Sequence, residues 1–232
     1  MDAARAAQAL AQATSSMTGS LDVAGAMSAL LVSCHDALGV DASGVLLESR
    51  GRLELFVASS HQADELETHQ LHADEGPCIE AYRTGLPVRA SSAGALVERW
   101  PDFGVTMLAS GFASVHASPL GIRGSTFGAM GLFRRADVPF EPDEDRLAQA
   151  FADIASVLVA HLGEVTPQHL AERAHQALDG RIVIEQAKGV LADTHDLTMA
   201  AAYDLLVAGA LEQRQPLTAW AAQVVAAAHE GR

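Results

Sequence analysis

Two kinds of hydrophobic pattern follow one another along the chain. From 21 to 38 apolar residues return at helical spacing: Val23, Met27, Leu30, Leu31, Cys34 and Leu38 share one broad face, and Gly39 follows as a C-terminal cap. Two short apolar runs at 42–48 and 53–59 flank Ser49-Arg50-Gly51-Arg52, which reads as two strands joined by a hairpin. The stretch 64–72 is polar. Glu75-Gly76-Pro77-Cys78 then leads into a short helical signal to Thr84, with Pro77 at a favoured first-turn position, and Gly85-Leu86-Pro87-Val88 turns towards a strand. Loop and short helix occupy 90–111. Two more strands are expected at 113–119 and 127–133 around the turn 121–125. A long helix opens at Asp143-Glu144-Asp145, with Leu147, Phe151, Ile154, Leu158 and Leu162 on its buried face.

Beyond residues 163–167 the strand pattern stops and only the helical period remains. Leu170, Ala174, Ala177 and Leu178 lead into 181–192, RIVIEQAKGVLA, where Ile184, Ala187 and Leu191 form one stripe. After a polar break at 193–197, Thr198 is placed to cap a helix carrying Ala202, Leu205, Leu206 and Ala210. Gln213-Arg214-Gln215-Pro216 interrupts it, and a further helix begins near Leu217 with Trp220, Ala221, Val224 and Val225. The pattern therefore predicts an α+β domain, an antiparallel sheet flanked by helices, followed by a small all-α domain of three helices. We divide the chain into an N-terminal helical extension (1–19), the α+β domain (20–165) and the helical domain (166–232).

Composition narrows the function. Hydrophobic residues make up 49% of the 232 and charged residues 19%, a folded composition. No apolar run approaches eighteen residues, so no membrane span is expected. The N-terminus lacks a basic region followed by an apolar one, which points to the cytoplasm. Net charge is −14. The part up to Val165 holds 10 Arg against 21 Asp and Glu, a net of −11; the remainder holds 5 Lys and Arg against 8 Asp and Glu, a net of −3. Binders of nucleic acid usually draw affinity from a basic surface, and here the tail is only less acidic than the body. Lys188 is the only lysine in the chain; Arg181, seven residues earlier, shares its helix face, with Glu185 between them.

Candidate chemistry is sparse. Cys78 follows Gly-Pro at a predicted helix start, where a thiolate gains from the helix dipole; a packed core thiol is the commoner outcome. Cys34 lies on an apolar helix face and reads as core. His61, His69, His72 and His116 fall into no metal-binding spacing. The sequence holds no nucleophile–base motif or phosphate loop, and neither an enzymatic activity nor a metal or other cofactor is expected.

The segments GPCIEAYRTGLPVRA and ASVHASPLGIRGSTFGAMGLFRRADVPFEPDEDRLAQAFADIA resemble the GAF sensory domain of two-domain regulators. The tail, with RIVIEQAKGVL, the pairs Ala202-Tyr203 and Leu205-Leu206, then Leu217, Ala221 and Val224-Val225, resembles the ANTAR domain, an RNA-binding antitermination module. The resemblance implies a homodimeric, signal-responsive regulator whose GAF domain senses a small molecule or partner and whose tail binds paired RNA hairpins. By that likeness Arg181, Lys188 and Arg214 are the candidate RNA contacts, as phosphate-binding cations. It also implies a ligand pocket between the sheet and the region 64–100, although Phe56, Trp100 and Phe112 read equally well as plain core. The tail departs from the family at Val207 and Ala208, where arginine is usual, and at Pro216, often basic. A regulator that binds proteins through a degenerate tail is the alternative, and a GAF-type methionine sulfoxide reductase using Cys34 and Cys78 is a third.

Overall fold

The structure, a computed structural model, describes residue 11 and residues 23–160, 182–213 and 215–230. The rest of the N-terminal extension, the connection carrying Leu162, Leu170, Ala174, Ala177 and Leu178, and the candidate contacts Arg181 and Arg214 lie outside the described residues. Helix α1 (Val23–Leu38) buries the whole predicted face, with Met27, Leu30 and Cys34 fully enclosed. Gly39 ends it at φ 60°, its N–H donating to the His35 carbonyl at 2.8 Å, a left-handed cap that glycine adopts without Cβ strain.

Strands β1 (Ala42–Ser49) and β2 (Arg52–Ala58) form the first hairpin. Ser49 pairs with Arg52, so the loop is the two residues Arg50 and Gly51, both at positive φ, the geometry whose twist matches that of the strands. Helices α2 (His61–Ala73), α3 (Pro77–Thr84), α4 (Ala93–Arg99) and α5 (Pro101–Ala109) follow, with β3 (Val88–Ser91) between α3 and α4. The stretch 64–72, polar in sequence, is thus helical: Ser60 caps it by accepting from the Ala63 N–H at 3.2 Å, and Ala63 and Leu66 anchor it on the sheet. Strands β4 (Ser114–Ile122) and β5 (Ser125–Arg134) run further than the apolar runs suggest. Arg123 and Gly124, again both at positive φ, close a second two-residue turn, and pairing begins at Ile122 and Ser125.

The sheet is antiparallel throughout, in the order β2-β1-β5-β4-β3. Alternation divides its side chains between two cores. Val45, Leu47, Met130 and Leu132 pack with α1 and with helix α6 (Pro142–Ala160); Leu46, Ala129, Phe133 and Val115 pack under α2, α3, α4 and α5. At the centre Gly44 of β1 pairs with Gly131 of β5, leaving a bare patch on the α2 side.

In the tail, helix α7 covers 182–195, α8 is Met199–Glu212 and α9 is Leu217–Glu230. Thr198 caps α8 by accepting from the Ala201 N–H at 3.2 Å. Gly209 lets α9 approach closely: a Cβ there would lie 2.6 Å from Trp220 Nε1. Ile184, Ala187, Ala202, Leu206, Ala210, Leu217 and Ala221 are buried, and Leu205 is turned outward. Apart from Ala202, these buried residues belong to the α1–α6 core, alongside Phe56 and Val57 of β2, so tail and α+β domain share one core.

Candidate nucleic-acid interface

Lys188 lies one turn beyond Ile184 on α7, and the stripe that buries Ile184 and Ala187 brings it inward with them. Its side chain is 3% exposed. Nζ donates to both carboxylate oxygens of Glu185, three residues earlier, at 3.0 Å each. The ammonium also lies 5.5 Å from the centre of the Tyr203 ring on α8, a cation–π distance. Tyr203 in turn spans the domains, its Oη donating to the Ala58 carbonyl at the end of β2 at 2.8 Å. Burial, then the carboxylates of Glu185 and Asp64, push the Tyr203 hydroxyl up, so it remains a donor.

The cleft around these groups is walled by Phe56, Val57 and Ala58 of β2, by Ser60, His61 and Asp64 at the start of α2, and by Ile184, Glu185, Lys188 and Tyr203 of the tail. About 20 Å³ remains inside it, room for a water at most. Of the three sequence candidates, then, the structure places Lys188 in an occupied cleft against the α+β domain. Tyr203, Ala58 and Asp64 belong to the same site; the sequence marks Tyr203 only as part of the pair that carries the tail resemblance, and Ala58 and Asp64 not as site residues. Their meeting depends on contacts more than a hundred residues apart in the chain.

The space between the sheet and 64–100 is filled. Glu67 is fully buried, its carboxylate accepting from Gln70 Nε2 and facing Cys78 Sγ at 3.7 Å; the Cys78 N–H donates to Gln70 Oε1 at 3.0 Å. The bare glycine pair receives this cluster, since a Cβ on Gly44 would sit 2.6 Å from Glu67 Cγ and one on Gly131 2.5 Å from Glu67 Oε1. Trp100, Phe103 and Phe112 close the rest as core, and Phe56 packs on the opposite face of the sheet. Desolvation pushes the Glu67 carboxyl up to about 8. Burial, followed by the Glu67 charge, pushes the Cys78 thiol up, which overrides any gain from the start of α3. Cys34, also raised by burial, lies in the other core, so the sheet separates the two thiols. An open groove of about 500 Å³ on the outer side is lined by Arg52, Leu53, Leu71, Asp74, Tyr82 and Arg83.

The first turn of α6 is tied down by charge. Arg134 of β5 bridges Glu144 at 2.7 Å and the Leu38 carbonyl at 2.7 Å, and Arg89 of β3 pairs with Asp145. His116 of β4 is buried against Phe140 and faces Asp145 Oδ1 at 3.3 Å without hydrogen-bonding alignment. Burial first, and then Arg89 and Arg134, lower the imidazole to about 4. Among the described residues no group of three or more His, Cys, Asp or Glu side chains could hold a metal ion, and no helix is long and apolar enough to cross a membrane.

Comparison with known proteins agrees with this architecture. The model of the GAF domain matches residues 22–159 and that of the ANTAR domain residues 172–225. Similar solved structures include the GAF domain of A. aeolicus nlh2, described in an inactive state (13% identity, TM-score 0.53, covering 68% of this chain and 98% of that one). The GAF domain of a phosphoenolpyruvate-protein phosphotransferase from Coxiella burnetii is similar at 16% identity and TM-score 0.53, covering 69% of this chain and 96% of that one. Its Acinetobacter counterpart is similar at 15% identity and TM-score 0.54, with the same coverages. At these identities the likeness concerns the fold. None of the curated proteins matches the chain in sequence. A five-stranded antiparallel sheet between helical layers, a helical tail, and the two matches in that order show that the chain belongs to the regulators in which a GAF domain is followed by an ANTAR domain.

Proposed function

We propose that the protein is a cytoplasmic, signal-responsive transcription antiterminator: its GAF domain senses a small molecule or partner, α6 and the helices beyond transmit the state, and the tail binds paired RNA hairpins as part of a homodimer. The domains act as units over 20–165 and 166–232, with 1–19 as an extension. The observation that carries the reading is the ANTAR match over 172–225, in which Lys188 is the only lysine or arginine between 182 and 213. A cation on a helical tail suits phosphate contact, and Arg181 and Arg214 are the other two candidates.

RNA capture from the host lysate at two salt concentrations, beside Lys188→Ala, tests the proposal. Salt-sensitive enrichment of hairpin-bearing transcripts that the variant loses is the expected result. Equal recovery with both proteins, or none with either, would overturn it. The net charge of −14 and the apolar Val207 and Ala208 favour a second reading, a regulator whose tail binds protein. Capture of no RNA by either form is the result that reading expects.

A further inference from the structure

We propose that the corner between β2 and α2 is an autoinhibitory seat for the tail, clasped by the Tyr203 hydroxyl on the Ala58 carbonyl, and that the protein binds RNA only after this clasp opens. The inference rests on the tail being the RNA-binding part. In the closed form every feature a phosphate would need at Lys188 is spent elsewhere. Its side chain is 3% exposed, both of its hydrogen bonds go to the Glu185 carboxylate, and residues of β2 and α2 line the cleft that holds it. A phosphate brought to this point would meet the Glu185 and Asp64 carboxylates as well as the lysine. The basic contact is present in sequence and withheld by the fold.

The seat is also placed to respond to the sensor. Ser60, His61 and Asp64 in the first turn of α2 line the cleft, and Glu67 and Gln70, one to two turns further along the same helix, form the buried cluster with Cys78. A short helix moves as a unit, so a change in the GAF interior that shifts α2 also shifts the seat. Closure is then a balance between two arrangements, and an RNA or a GAF ligand displaces it by binding one arrangement better.

The test uses the full chain as wild type, Tyr203→Phe and Ser60→Ala. The first variant removes only the hydroxyl, and the second removes the cap of α2 without touching the tail. Amide hydrogen exchange at 57–64 and 182–213 reports opening without reference to RNA, and mobility shift with a two-hairpin RNA taken from the captured transcripts reports binding. We expect exchange at both segments to rise about five-fold in Tyr203→Phe, the population change carried by one net hydrogen bond, with RNA affinity rising in step. Ser60→Ala should move both in the same direction. Unchanged exchange in both variants overturns the clasp. Faster exchange with RNA affinity equal to wild type overturns autoinhibition, because the contact then restrains nothing. Faster exchange with no RNA bound by any form leaves the clasp standing and removes the RNA reading instead.

Discussion

Glu67 and His116 are both enclosed, and their protons respond to pH in opposite senses. Glu67 is raised from 4.5 to about 8, so its stabilising contribution is complete below pH 4.5 and is lost as pH rises towards 8. His116 is lowered from 6.5 to about 4, so its contribution is complete above pH 6.5 and fades as pH falls towards 4. In Glu67→Gln the amide keeps the shape and cannot ionise. We expect wild type to lose a few kcal/mol between pH 5 and pH 8 that the variant retains. Urea denaturation at the two pH values measures this, and parallel losses in both proteins would contradict the assignment. This cluster was not legible in the sequence. Glu67 stands among other polar residues at 64–72, and nothing local separates a carboxylate bound for the interior from its exposed neighbours.

Helices and strands were far more legible, because each carries its own period. The face of α1, the cap at Gly39 and the buried line Leu147–Phe151–Leu158 of α6 follow from spacing alone. What escaped was the length of the second hairpin and the helix at 61–73. The first depends on Arg123 accepting a positive φ beside Gly124, and the second on Ser60 as a cap for a helix with few apolar residues. Gly131 and Gly209 are among the glycines at which elements approach too closely for a side chain. Gly131→Ala would drive a methyl into Glu67 and Cys78, and we expect a loss of about 2–3 kcal/mol, read as a lower melting temperature. Gly209→Ala would press on the Trp220 indole and part α9 from α8; an unchanged Trp fluorescence spectrum would show that the pair tolerates it.

At the scale of the whole molecule, the tail and the sensor are joined by a shared core, a relation that no local pattern could announce. Tyr203 sits in a sequence pair that marks the tail family, yet its hydroxyl is 145 residues from its partner. Because Ile184, Leu206 and Leu217 belong to the core that also holds Phe56 and Met130, the chain should unfold in one calorimetric transition. Leu206→Ala, at a fully buried position, should lower that single transition by about 2–5 kcal/mol of stability. Two separate transitions, with only the smaller one shifted, would mean that the tail folds on its own account.

The solitary lysine gives the molecule a built-in gauge. Apart from the chain terminus, an acylating reagent has one amine to find, and in the closed form that amine lies under Tyr203. The rate at which acylation accumulates on the peptide that carries Lys188, read apart from that of the terminus, therefore follows the fraction of open molecules. Slow acylation of Lys188 in the wild type, hastened in Tyr203→Phe, is the pattern the proposed clasp predicts.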